Sequence, residues 1–321
     1  MNKTMMTLAA VLFAFGTNAA YARDTIRIVG SSTVYPFTTT VAENFGKRTG
    51  MPTPIVESTG TGGGFKLFCA GTGEDTPDAV NASRPIKEGE IETCKTNGVT
   101  AEEIKIGFDG IVLAMSKEDP DIVISTQVLY MALAKYVYVD GQWIENPTKT
   151  WNDLGSALPS NKIEVLGPPP TSGTRDSFVE LVLEKECKRV IAENALTVTA
   201  DDEKMYCRSM REDGAYVEAG ENDNLIVQKL EANHNALGIF GYSFLEENTN
   251  VIKAVQINNV APSFETIADG SYPISRPLFI YIKKEHIGVI PGIEEFVAEL
   301  KDEGTIGEEG YLVDKGLIPL P

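Results

Sequence analysis

One device, used three times, most constrains what this chain can fold into. A short β-branched run ends in a loop of serine, threonine and glycine, and the loop opens into residues with helical apolar spacing. It occurs first at Gly30-Ser31-Ser32-Thr33-Val34-Tyr35-Pro36, after the apolar run 26 to 29 and before Phe37, Val41 and Phe45. It recurs at Ser58-Thr59-Gly60-Thr61-Gly62-Gly63-Gly64-Phe65 and at Thr171-Ser172-Gly173-Thr174-Arg175-Asp176, the last leading into Phe178, Leu181 and Val182. Strand, loop and helix in alternation call for crossover connections, so the expected fold is α/β. In such a loop the hydroxyls cap the helix or bind an anion, and the NH groups of the first helical turn carry partial positive charge. Capping and turn chemistry account for any one of these loops. Three in one chain direct attention to an anion.

The rest of the pattern organises the chain into two lobes. Residues 53 to 56 read as a strand, followed by a glycine-rich turn and a helix over 65 to 70, and residues 79 to 82 read as a third strand. Two long apolar segments, 104 to 115 and 277 to 282, bracket a stretch with Trp143, Trp151, a helix from Asp176, a helix over 225 to 232 and a strand over 237 to 240. Residues 293 to 300 form an acidic amphipathic helix. The expectation is a discontinuous first lobe, 23 to 108 plus 276 to 321, and a second lobe, 109 to 275. Each would be a mixed sheet flanked by helices, with the ligand in the cleft between them. No repeat of solenoid period and no low-complexity linker interrupts this reading.

Composition narrows the partners. At 321 residues, 42% hydrophobic and 23% charged, the chain has the material for real cores. A formal charge of −18 opposes nucleic-acid and anionic-membrane partners, which need a net basic face. His234 and His286 are the two histidines, too few for histidine-based catalysis or a His-rich metal site. Lys3, the apolar run 5 to 15 and Ala20-Tyr21-Ala22 read as a signal peptide over residues 1 to 22, cleaved after Ala22 and delivering the chain to the periplasm. Four exported cysteines allow three pairings. The local ones, Cys69 with Cys94 and Cys187 with Cys207, are preferred because they close short loops in separate regions. The glycine run lacks the Gly-Lys-Ser/Thr ending of a P-loop, and no dinucleotide fingerprint or Gly-x-Ser-x-Gly elbow occurs, so no cofactor is expected.

Six segments in order resemble the periplasmic phosphate-binding proteins of ABC-type phosphate uptake systems. They are the first loop, the glycine run 58 to 66, Asn81-Ala82-Ser83-Arg84-Pro85-Ile86, Asp109-Gly110-Ile111, Trp151-Asn152-Asp153-Leu154 and Ser172-Gly173-Thr174-Arg175. The resemblance implies two α/β lobes that close on one phosphate and deliver it to a membrane permease, with no catalysis and as a monomer. It places the ligand contacts on Ser31, Ser32, Thr33 and Val34, on Thr61 and Gly62, on Ser83, and on Ser172, Gly173 and Thr174. In two places the chain departs from well-known members. Arg84 stands where they have an aspartate, and Pro168 and Pro170 stand where they have an arginine and an aspartate before the Ser-Gly-Thr loop.

Charge for a desolvated dianion is therefore expected from Arg84 and Arg175, the arginines beside the motif loops. Their structural alternatives are an ion pair with one of the many carboxylates for Arg84, and a reach back to Glu180 or solvent for Arg175. Asp109 either ends a strand or accepts the proton of monohydrogen phosphate, which sulfate lacks. Asp176 and Glu221 are the next candidates for that proton. Rival functions are binding of another oxyanion such as sulfate, molybdate or a phosphonate, an exported phosphatase, and a surface interaction or sensor protein on the same fold.

Overall fold

The structure, a computed structural model, describes residues 23 to 220 and 223 to 321. The signal-peptide reading and Glu221 lie outside the described residues.

The strand Arg27–Gly30 lies between parallel strands Ile55–Ser58 and Ala79–Ala82, and the helices Tyr35–Thr49 and Thr61–Phe68 make the crossovers. The second helix starts earlier than its apolar spacing suggests, so that Gly62, Gly63 and Gly64 belong to the helix and not to the turn before it. Close packing is the reason. A Cβ on Gly64 would stand 2.7 Å from both Gly30 Cα and Val80 Cγ2. Without one, the helix presses directly onto the strands. The helix of the third loop likewise begins at Gly173, runs to Phe178, widens into a π-helical segment Val179–Glu184 and continues as Lys185–Glu193.

A single strand, Ala101–Ser116, serves both lobes. As far as Gly110 it pairs antiparallel with the return strand Ser275–Lys283; from Ile111 it pairs with Leu237–Gly241, and at its end with Ile252–Ala254. The register with the return strand shifts between Leu278 and Phe279, opposite Gly107, whose φ is +151° and whose Cβ would meet Ile318 O at 2.5 Å. This glycine bulge bends the strand just before it passes into the second lobe. There Leu237–Gly241 continues parallel to Val165–Gly167, which pairs with Tyr216–Glu218. The fold is two-lobed α/β.

The apolar cores follow the same division. One is drawn from residues 108 to 274 with Ile318; two others are drawn from residues 26 to 106 and 278 to 317. Both expected disulfides are formed. Cys69–Cys94 joins the end of helix Thr61–Phe68 to helix Glu88–Thr96, and Cys187–Cys207 joins Lys185–Glu193 to Ala200–Arg208. No helix among the described residues is long and apolar enough to cross a membrane.

Candidate functional site

The first loop is set by a glycine. Gly30 has φ +132°, its Cβ would collide with Asn81 O at 2.2 Å, and the next residue, Ser31, donates its NH to that oxygen at 2.9 Å. The chain is thereby turned into helix Tyr35–Thr49, whose N-terminus has Pro36 in its first turn and no side-chain cap. Two hydroxyls of the loop reach the other lobe. Ser32 Oγ donates to Asp176 Oδ2 at 2.6 Å, and Thr33 Oγ1 lies 3.1 Å from Ser177 Oγ. Gly173 makes this contact sterically feasible, since a Cβ there would stand 3.0 Å from Ser32 O and 3.1 Å from Thr33 Cα. The first and third loops thus meet backbone to backbone across the cleft.

Behind them sits a buried guanidinium. Arg276, on the return strand, is paired in register with Asp109 on the shared strand, and the two are 7% and 8% exposed. Its NH2 donates to Thr33 Oγ1 and to Ser177 Oγ, each at 2.6 Å, and its NH1 donates to Glu180 Oε2 at 2.5 Å. Its Nε has no hydrogen-bond partner and lies 3.7 Å from Asp109 Oδ2. Ser177 Oγ stands 2.9 Å from both Asp109 Oδ2 and Gly173 O, either of which can accept its proton. Burial pushes the Asp109 carboxyl above the usual carboxylate range, although the neighbouring Arg276 charge and the Ser177 hydroxyl pull it down.

Two cavities flank this cluster. One, of about 280 Å³, is lined by Ser32, Thr33, Asp109, Ser172, Gly173 and Thr174, and extends past Phe244 to Lys315. The other, of about 520 Å³, is lined by Thr61, Gly62, Ser83, Arg84, Glu180 and Arg276, with Glu184 and Arg208 also in its wall. Thr61 and Ser83 are joined there, Oγ1 to Oγ at 3.1 Å, with Ser83 N donating to Thr61 Oγ1 at 3.2 Å.

The expected residues therefore fall into three groups. Ser32, Thr33, Asp109, Ser172, Gly173 and Thr174 line one cavity, and Thr61, Gly62, Ser83 and Arg84 line the other. Ser31, Val34 and Arg175 line neither, and the Val34 side chain is fully buried in the first-lobe core. Both arginines singled out for charge are engaged with carboxylates. Arg84 makes a two-pronged pair with Glu90, NH1 to Oε2 at 2.9 Å and NH2 to Oε1 at 2.8 Å. Arg175 pairs with Glu218 at 2.9 Å, not with Glu180, and stacks over the Tyr216 ring.

The sequence reading missed Arg276, Ser177 and Glu180. The available signal was the charge at Arg276, near the start of an otherwise apolar strand that ends at Lys283. Such a charge has to find partners once the strand is buried.

A family model described as a PBP superfamily domain matches residues 16–303. The chain is 33% identical over 310 residues to the protein SphX of Synechococcus elongatus, covering 94% of this chain and 80% of that protein. It is 32% identical over 298 residues to the phosphate-binding protein PstS of Staphylococcus saprophyticus, covering 91% and 79%. Among solved structures it is similar to a "possible phosphate binding protein" from Planctomyces limnophilus, with 30% identity, a TM-score of 0.74, and 92% of this chain and 93% of that chain covered. An ABC-type phosphate transport receptor from Vibrio cholerae shares the fold at a TM-score of 0.63 and 21% identity, covering 92% and 100%.

Proposed function

The chain belongs to the PBP superfamily and, within it, to the family of the phosphate-binding protein PstS and the protein SphX, and from that premise we propose that it captures inorganic phosphate between its lobes and delivers it to an ABC permease. The family is one of extracytoplasmic substrate-binding proteins, not of enzymes, so the phosphatase reading is not carried forward. The observation that carries the proposal is Arg276. A buried guanidinium with an unpaired Nε, bonded to Thr33 of the first lobe and Ser177 of the second, is what a desolvated anion enclosed between two lobes requires.

Around that charge, the hydroxyls of Ser32, Thr33, Thr61, Ser83, Ser172 and Thr174 and the NH of Val34 at the start of helix Tyr35–Thr49 supply directed donors. Arg84, paired with Glu90, lines the larger cavity. The Asp109 carboxylate accepts the phosphate proton, which sulfate lacks, and so sets the preference over sulfate; burial raises its affinity for that proton. The lobes open and close about the two strands that cross between them, bending near the Gly107 bulge. The leader is removed after Ala22, leaving a periplasmic monomer. Arg23, the first residue after that point, already donates to buried Asp78 at 2.7 Å, which supports a folded chain beginning there.

Calorimetric titration of ligand-free protein with phosphate, sulfate and molybdate, joined to small-angle scattering, tests this reading. Phosphate is expected to bind and to compact the molecule, sulfate to do neither as well, and Asp109→Asn to narrow the difference. Tighter binding of sulfate or molybdate, or an unchanged radius with phosphate, overturns it. Full selectivity in Asp109→Asn moves the proton to Asp176 or Glu221.

A further inference from the structure

Arg276 faces two carboxylates of its own protein, Glu180 and Asp109. They are differently placed. The Asp109 side chain is 12% exposed, whereas that of Glu180 is 40% exposed and lines the larger of the two cavities. While Oε2 of Glu180 accepts from Arg276 NH1 at 2.5 Å, Oε1 lies 3.7 Å from Arg208 NH2. Arg208 ends the helix Ala200–Arg208, lines the same cavity and donates to Glu184 Oε2 at 2.5 Å. Glu180 thus stands between one arginine buried at the ligand site and another in the wall of the larger cavity.

We propose that Glu180 is a resident competitor for the ligand: its carboxylate holds Arg276 while the site is empty and passes to Arg208 when phosphate takes the guanidinium. The inference rests on the phosphate reading above. A phosphate dianion and the Glu180 carboxylate compete for the same NH1 of Arg276 and repel each other there, and with neither present that buried NH1 lacks its acceptor. Glu180 resolves both. It balances Arg276 when no ligand is bound, and because it is partly exposed and already near Arg208 it can leave by a side-chain rotation. The same arrangement sets a threshold on the ligand, since a monovalent anion offers too little in exchange for the displaced carboxylate. The cost is affinity. If Glu180 occupies Arg276 in nine of ten empty molecules, the apparent dissociation constant rises about tenfold.

Phosphate titrations of the parent, Glu180→Gln, Arg208→Gln and the double variant decide the matter, alongside ligand-free melting temperatures. Glu180→Gln is expected to bind phosphate about tenfold tighter while its ligand-free form melts lower, opposite signs that a purely structural role does not produce. Arg208→Gln is expected to weaken binding in the parent and to have no effect in the Glu180→Gln background. Glu180→Ala carries the same expectation as the glutamine, in case the amide oxygen retains the contact. Equal or weaker phosphate binding by both Glu180 variants overturns the proposal, as does an Arg208→Gln effect of equal size in both backgrounds. A parent protein that binds no phosphate instead defeats the functional reading beneath it.

Discussion

Asp78 and Asp109 are both buried aspartates facing buried cations, and the contrast between their surroundings separates a structural charge cluster from the one proposed to bind the ligand. Asp78, 1% exposed, accepts from Arg23 NH2 at 2.7 Å and Arg27 N at 2.7 Å, and lies 2.6 Å from His286 Nδ1. His286 Nε2 is 3.0 Å from Thr72 O, so both ring nitrogens have an oxygen partner. Lys283, fully buried beside them, donates to Gly71 O and Thr76 Oγ1. These residues all come from the first lobe. The Asp109 cluster draws on both lobes, borders a cavity on each side and leaves Arg276 Nε unbonded. Closed bonding within one lobe stabilises a fold; open bonding between two lobes leaves room for a ligand.

The sharpest way to break this contrast is to exchange the expected losses. Asp78→Ala strands the Arg23 charge and removes the partner of His286, and should cost about 3 to 5 kcal/mol of stability in denaturant unfolding, with phosphate affinity in the folded protein unchanged. Arg276→Met should do the reverse, weakening phosphate binding by about 2 to 5 kcal/mol in calorimetry with a smaller change in unfolding. If Asp78→Ala lost affinity, or Arg276→Met kept it within a few-fold, the division between the clusters would fail.

A pH titration sharpens the structural side. Burial pulls the Lys283 ammonium down to about 8 from 10.5, against the opposing pull of Asp78. Between those values the unfolded chain holds the proton and the folded chain has released it, so stability should rise with pH across that window. Melting curves of Lys283→Met should lack that rise; an equal rise in both proteins would assign it to another group. The smallest effect is expected at Gly173→Ala. Its methyl group must fit 3.0 Å from Ser32 O, so the two loops are forced apart by a few tenths of an ångström. Phosphate affinity should fall by about 1 to 2 kcal/mol while ligand-free stability holds, and unchanged affinity would show that the loops need not touch.

Much of the architecture was legible because it depends on local pattern. The strand at 79 to 82 and the helix at 293 to 300 lie where their spacing puts them, and the cysteines pair within the regions that their spacing delimits. The start of helix Thr61–Phe68 was misjudged because a glycine run looks like a turn to propensity alone. Its glycines are required by how closely the helix packs on Gly30 and Val80, a contact between distant parts of the chain.

The binding loops belong to the sequence in the same sense: hydroxyls and glycines between strand and helix put donors at a helix start wherever the fold places that loop. The choice of cation belongs to the tertiary structure. Arg84 and Arg175 adjoin the loops in sequence, yet each pairs with a carboxylate, Glu90 or Glu218, and touches neither Thr33 nor Ser177, while Arg276, itself paired with Glu180, reaches both lobes through its register with Asp109 and the meeting of Thr33 with Ser177. Whether a guanidinium is free for a ligand depends on which carboxylates and hydroxyls surround it after folding, and sequence proximity does not encode those neighbours.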